Sequence, residues 1–169
     1  MHLLVVAEIF PSPGNPYPGS FIGQQVQALA ERVERITVLR PVPTMPRFMS
    51  RFRRFAGKLT LPDRYVLVPN RCEVLFPRYL KAPGNLFLSW TRTQWCRLVD
   101  KTIAQFAATC PVSIVHPHTG SVSSWAAFRA ARRHRIPCAV RQSLAAEPWL
   151  QRCQWHKREN VATYLPKTQ

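Results

Sequence analysis

Acidic residues are scarce in this sequence. Eight Asp and Glu stand against 24 Lys and Arg, which gives a formal net charge of +16. A positive field of that size favours an anionic partner, either a membrane surface or a nucleic acid. No helix-turn-helix, RNP or zinc-finger pattern accompanies the charge, so the sequence argues against nucleic acid.

Long apolar runs are missing as well. The first apolar run, at residues 3–7, ends at Glu8 and is too short for the core of a signal peptide. No later run approaches the roughly 18 apolar residues that a spanning helix needs. We therefore expect a cytoplasmic protein whose contact with a membrane, at the inner face, is peripheral.

Paired cysteines and metal-binding motifs are also lacking. The chain has five cysteines, an odd number, and no two of them have C-x-x-C spacing. This excludes both a disulfide framework and a structural zinc site, so we expect free thiols and no bound metal. The cysteines are Cys72, Cys96, Cys110, Cys138 and Cys153.

The first forty residues predict a strand, a loop, a helix and a second strand. Residues 3–7 are continuously apolar, which is typical of a strand buried on both faces of a parallel sheet, and Glu8 follows at its carboxyl end. Prolines and glycines crowd residues 11–19 and predict a shaped loop. Ser20 is placed as an N-cap, and a second strand is predicted at residues 36–39. One helical face carries Ile22, Val26, Leu29 and Val33.

The first loop lies where a ligand is expected. Ligands of open α/β sheets bind outside the carboxyl ends of the strands. Gly19 would let a ligand approach the backbone just before a helix N-terminus, whose free N–H groups attract phosphates or sugar hydroxyls. The spacing is not G-x-G-x-x-G, so a dinucleotide site is not indicated. The alternative is that these residues only build a tight connection.

The remaining chain continues the alternation of strands and helices. Two histidines, His116 and His118, follow a predicted strand at alternate positions, which point the same way. No third ligand accompanies them, so they do not constitute a metal site, and a structural role is the alternative. Strands are predicted at 63–71, 73–76, 112–115 and 137–140, and helices from the turn at 83–85 to about 108 and at 124–135. The inward positions include Trp95, Leu98, Val99, Ile103, Phe106, Trp125, Phe128 and Ala131.

Residues 46–59 have the spacing of a basic amphipathic helix. Basic and aromatic residues occupy adjoining faces, the pattern of helices that lie in a lipid interface. The alternative is a helix that packs its aromatic face on the sheet and solvates its basic face. The membrane-contact residues would be Arg47, Phe48, Arg51, Phe52, Arg54, Phe55 and Lys58.

Motifs in a fixed order connect these elements to a known family. The chain resembles the N-terminal domain of glycosyltransferase family 4, retaining enzymes of the GT-B fold, through VVAEIFPSPGNPYPGSF, QQVQALAERV, ITVLRPVP, LFPRYL, IVHPHTG and RIPCAV. The likeness covers residues 1–140. It implies an α/β fold with a Rossmann-like parallel sheet flanked by helices, one half of a GT-B architecture.

The resemblance also implies a role for this domain. In the family, the N-terminal domain holds the acceptor and a C-terminal domain holds the nucleotide-sugar donor, so no cofactor is expected on this chain itself. The implied partners are a glycan or lipid-linked acceptor and a separately encoded donor-binding half. The implied catalytic residue is His118. The implied acceptor-binding residues are Glu8, Gly19, Ser20, His116 and Thr119.

Beyond residue 140 the sequence departs from the family. The T-x-H-G-x-D motif is replaced by VRQSLA, and no two Glu residues lie seven positions apart as in the donor domain. We expect residues 141–169 to be a divergent tail, the reading frame to be truncated or shifted, and the chain to lack transfer activity alone. Two alternatives stay open, a peripheral membrane protein acting through 46–59 and a nonfunctional gene remnant.

Overall fold

The computed structural model describes residues 1–44, 61–80, 88–118 and 122–139. The predicted amphipathic helix at 46–59 and the tail at 141–169 lie outside these ranges. The strands are β1 His2–Val6, β2 Arg35–Leu39, β3 Val42–Thr44, β4 Arg64–Val68, β5 Cys72–Leu75, β6 Arg78–Leu80 and β7 Ile114–Pro117. The helices are α1 Ser20–Ala30, α2 Leu88–Phe106 and α3 Val122–His134.

A five-stranded sheet in the order β4-β5-β2-β1-β7 forms the centre of the molecule. All neighbouring pairs are parallel except β4 with β5, which are antiparallel. Val115 makes a further parallel bridge to Cys138, beyond β7. A second, two-stranded parallel sheet joins β3 to β6 and was not predicted. The predicted α/β class, a mostly parallel Rossmann-like sheet flanked by helices, is confirmed.

Helices cover both faces of the sheet. Along β1, Leu3 and Val5 pack with the buried side of α1, whereas Leu4 and Val6 pack with α2 and α3. Because both sets of alternating side chains are buried, the strand reads as a continuous apolar run. Within the described ranges, no helix is long and apolar enough to cross a bilayer.

Two predicted core positions are wrong. Leu29 is 37% exposed, and Ala30 takes its place in the core under α1. Phe128 is 38% exposed, whereas the small residues of α3 are the ones buried. Phe128 is kept out of the core because α2 and α3 pack closely, with the Cys96 thiol of α2 3.9 Å from the Ala126 carbonyl oxygen of α3. The buried residues of α3 are Ser123, Ala126, Ala127, Ala130 and Ala131.

One buried polar connection ties the sheet to the end of α2. The His2 ring is 1% exposed, and its Nδ1 and Nε2 atoms lie 2.7 Å from the Cys110 carbonyl oxygen and 2.9 Å from the Thr37 hydroxyl. A carbonyl only accepts, so Nδ1 carries the hydrogen and Nε2 accepts from Thr37. Burial lowers the pKa of His2. The folded structure therefore favours the neutral ring of His2.

Candidate functional site

The candidate site lies at the carboxyl end of β1, the strand from which the sheet is extended in both directions. From β1 the chain passes through α1 to β2 on one side, and β7 pairs with β1 on the other side. The crossover helices α1 and α2 pack on opposite faces of the sheet. The loops after β1 and β7 therefore diverge, and such a point is where open α/β sheets bind ligands. Glu8 and His118 follow these two strands.

His118 is tied to both β1 and α1. Its backbone N–H donates to the Val6 carbonyl at 2.9 Å, which fixes the residue immediately beyond β7. Its ring Nε2 lies 2.8 Å from Oε1 of Gln25. The Phe21 ring contacts it edge-on, with the ring centroids 5.7 Å apart. Phe21 and Gln25 are one helical turn apart, so a single face of α1 holds the imidazole.

This arrangement places a hydrogen on one nitrogen of the imidazole. The Gln25 oxygen can only accept a hydrogen bond, so Nε2 carries a hydrogen. Burial lowers the pKa of His118, and a backbone hydrogen bond at His118 itself offsets part of that effect. In the neutral ring the other nitrogen, Nδ1, carries a lone pair that can accept a hydrogen bond from a hydroxyl group.

His116 lies inside β7 rather than after it. The strand was predicted at 112–115 but covers Ile114–Pro117, with His116 opposite Val5 of β1. Backbone bonds to β1 set this register, because Ser113 N–H donates to the His2 carbonyl at 2.8 Å. The ring of His116 meets that of His118 edge-on at 5.5 Å. Burial, and then the charge of His118, lower the pKa of His116.

Glu8 lies at the carboxyl end of β1, as predicted, and contacts the start of α3. Its Oε1 accepts a hydrogen bond from the Ser123 backbone N–H at 3.3 Å. Carboxylates at this position satisfy a free N–H and complement the helix dipole. Glu8 therefore has a structural role at the candidate site, joining β1 to α3.

The backbone around position 19 requires a glycine. Gly19 is the N-cap of α1, in the left-handed conformation with φ 71° and ψ 26°. A Cβ there would lie 2.8 Å from the Ile9 carbonyl oxygen and 3.1 Å from the Phe10 Cα. The space beside Gly19 is filled by the chain's own backbone, which supports the tight-connection alternative. The prediction of Ser20 as N-cap is wrong, because Ser20 is the first residue of α1 and the cap makes no side-chain hydrogen bond.

Two residues of the site were not predicted. Arg40 directly follows β2, and its Nη1 donates to the Phe10 carbonyl at 2.7 Å, bracing the loop after β1. Its guanidinium lies 5.7 Å from the Phe76 ring centroid, and burial lowers its pKa. Arg40 could have been predicted as a site residue, as Glu8 was, because it directly follows a predicted strand. Gln25 gave no such signal, because it looks like any exposed helical residue.

Other predicted site residues lie outside the described ranges. Thr119 is one of them, and so are all seven membrane-contact residues, from Arg47 to Lys58. In the part of the chain that the structure describes, no group of three or more His, Cys, Asp or Glu side chains could hold a metal ion. Among the described cysteines, which are Cys72, Cys96, Cys110 and Cys138, none forms a disulfide.

Comparison with known proteins yields a distant structural likeness. No protein-family model and no curated protein matches the chain. Among solved structures, it is similar to a UGT transferase from Siraitia grosvenorii in complex with UDP, at 14% identity and a TM-score of 0.47, over 82% of this chain and 27% of that one. The chain thus spans about a quarter of that protein's length. At this level the likeness supports no conclusion about family or activity, and membership of glycosyltransferase family 4 stays a prediction.

Proposed function

We propose that this chain is the acceptor-binding domain of a glycosyltransferase resembling family 4. The observation that carries the proposal is the His118 imidazole, held by Gln25 at the point where the loops after β1 and β7 diverge. Its Nδ1 lone pair would accept a hydrogen bond from an acceptor hydroxyl, which orients that hydroxyl at the edge of the sheet. Glu8 and Arg40 brace the loops on either side.

The donor side would be supplied by another domain. We infer that the nucleotide sugar binds there, and that the developing charge on its leaving phosphate is stabilised by groups of that domain. Such electrostatic stabilisation often lowers a reaction barrier more than any other single effect. The chain by itself would therefore bind an acceptor without turning over a donor.

Acceptor binding is tested by NMR on the imidazole signals. The probes are the methyl and octyl β-glycosides of glucose, galactose, mannose and N-acetylglucosamine, added to the purified chain. At least one probe should shift the His118 signal in a saturable way, and His118→Ala should abolish that binding. His134→Ala, on α3, is the matched control and should bind normally. Saturable shifts confined to other histidines, or no shift with any probe, would contradict the proposal.

Turnover is tested separately with UDP-, GDP- and ADP-sugars. The chain should neither hydrolyse them nor transfer sugar to a glycoside that it binds. Transfer by the purified chain would show that the donor-side inference is wrong while leaving acceptor binding intact. The two parts of the proposal therefore fail independently.

A second candidate function is peripheral membrane binding through residues 46–59. The basic and aromatic spacing of this segment is the observation in its favour. Replacing Phe48, Phe52 and Phe55 together by Ser should remove most binding to phosphatidylglycerol vesicles. Unchanged vesicle binding would exclude this segment as the membrane contact.

A further inference from the structure

The two helical layers carry very different charge. Helix α1 contains no charged residue, and its polar positions are mostly glutamine. Helices α2 and α3 together carry six Lys and Arg and one acidic residue, Asp100. The positive charge of the described helices is therefore confined to one face of the sheet. We call this surface the basic face; it consists of Arg97, Lys101, Phe128, Arg129, Arg132 and Arg133.

Part of the basic face is a shallow depression along the outer side of α3. Phe128, Arg129, Arg132 and Arg133 line it. Asp100 pairs with Arg133 and with His134. Among the described residues no carboxylate forms an ion pair with Arg129 or Arg132, and the Arg129 guanidinium lies 5.1 Å from the Trp125 ring centroid.

We propose that the basic face binds the surface of an anionic lipid bilayer. Guanidinium groups present a fork of donors that matches phosphate oxygens. Phe128 is exposed among these arginines, and Trp90 is 41% exposed on α2, so aromatic rings are available at the level of the headgroups. A nucleic acid fits less well, because no recognised nucleic-acid-binding motif accompanies the charge.

The inference is independent of the candidate site and of residues 46–59. The basic face lies on the opposite side of the sheet from α1, whose Gln25 contacts His118. A bilayer against α2 and α3 would therefore leave the carboxyl edge of the sheet open at the side of the molecule. A simpler account is that Arg132 and Arg133 only complement the dipole at the end of α3, which would affect stability and not lipid binding.

Charge reversal at the ends of two helices distinguishes these accounts. Arg132→Glu changes the last turn of α3, and Arg32→Glu makes the same change just after α1, on the other side of the sheet. Both variants change the net charge by the same amount, and each replaces a basic residue close to the C-terminus of a helix. Their thermal unfolding is measured first, so that any loss of binding is compared between folded proteins.

The readout is co-sedimentation with phosphatidylcholine vesicles, with and without phosphatidylglycerol, at low salt. Wild type should bind only the anionic vesicles. Arg132→Glu should weaken that binding at least about fivefold, the effect of losing one cation near a membrane surface. Arg32→Glu should weaken it much less.

Three outcomes would overturn the inference. Equal losses in the two variants would mean that net charge, and not this face, determines binding. Equal binding to neutral and anionic vesicles would exclude headgroup charge as the attraction. Tight binding of a short RNA or DNA duplex that Arg132→Glu abolishes, with vesicle binding unchanged, would assign the face to nucleic acid instead.

Discussion

Gln25 of α1 and His118 beyond β7 are joined by a hydrogen bond of 2.8 Å between Oε1 and Nε2. The two residues are 93 positions apart in sequence, so the bond connects the first helix to the last described strand. It places a hydrogen of the imidazole on Nε2, because the Gln25 oxygen can only accept. The candidate site therefore depends on α1 as much as on the strand ends.

A carboxylate at position 25 should raise the pKa of His118. Gln25→Glu places a negative charge against Nε2, which favours the imidazolium and should increase the proton affinity of the ring roughly tenfold. An NMR titration of the imidazole signals measures this directly. Gln27→Glu makes the same charge change on the opposite flank of α1 and should leave the titration nearly unchanged. Equal effects of the two variants would show that Gln25 does not contact the ring in solution.

Gly19→Ala should destabilise the fold strongly. The positive φ costs about 1–2 kcal/mol for a residue with a Cβ, and crowding against the Ile9 and Phe10 backbone adds about 1–3 kcal/mol. Gly14 is the matched control, because its φ is 81° and a Cβ there meets nothing within 4 Å. Gly14→Ala should therefore cost only the conformational part. Urea unfolding measures both, and equal losses would contradict the close approach at Gly19.

Acidification should weaken the fold through its buried histidines. The pKa values of His2, His116 and His118 are lowered in the folded state from the ordinary value of 6.5. Below pH 6.5 the unfolded chain therefore binds more protons than the folded chain. The contribution of these histidines to the free energy of unfolding is fully present above pH 6.5 and is lost as the pH falls below it. Urea unfolding at several pH values measures this, and a rise in stability on acidification below pH 6.5 would contradict it.

The His2 contribution can be separated from the others. His2→Phe should cost about 1–3 kcal/mol near neutral pH, because it leaves the Cys110 carbonyl and the Thr37 hydroxyl without their partner. It should also make stability less sensitive to acid. Thr37→Val removes only one partner, so it should destabilise while keeping the acid sensitivity. If both variants show the same pH dependence, His2 is not one of the titrating groups.

Glu8 should contribute to stability through α3. Glu8→Ala removes the acceptor of the Ser123 N–H and should cost about 1 kcal/mol, a usual value for a helix cap. Glu8→Gln keeps an acceptor oxygen and should lose less than half of that. Thermal unfolding compares the two variants with wild type. An alanine variant as stable as wild type would mean that this contact contributes nothing in solution.

Much of the fold follows from local pattern. The continuous apolar run of β1, the spacing of α1 and the alternation in β4 and β5 each predict an element that the structure contains. Boundaries are harder, because they depend on pairing. The register with β1 moves β7 two residues along, so that His116 becomes part of the strand.

The positions of the candidate residues, but not their contacts, were predictable. Glu8 and the histidines lie at one edge because polar residues at strand ends collect there in a parallel sheet, and their functional roles stay predictions. Glu8, Gly19 and Arg40 have structural contacts that only the packed loops disclose. Phe128 was placed in the core from its spacing, but the tight packing of α2 on α3 leaves room there only for small residues.

The sequence by itself determined the α/β class, the parallel strands and the excess of positive charge, because these depend on composition and on short-range periodicity. Tertiary structure alone decided the partners of each polar group. The Gln25–His118 bond, the Glu8 contact with α3 and the position of the α2 and α3 arginines on one face all join segments distant in sequence. Periodicity reports which side of an element is buried, whereas contacts between elements depend on how the sheet and helices come together.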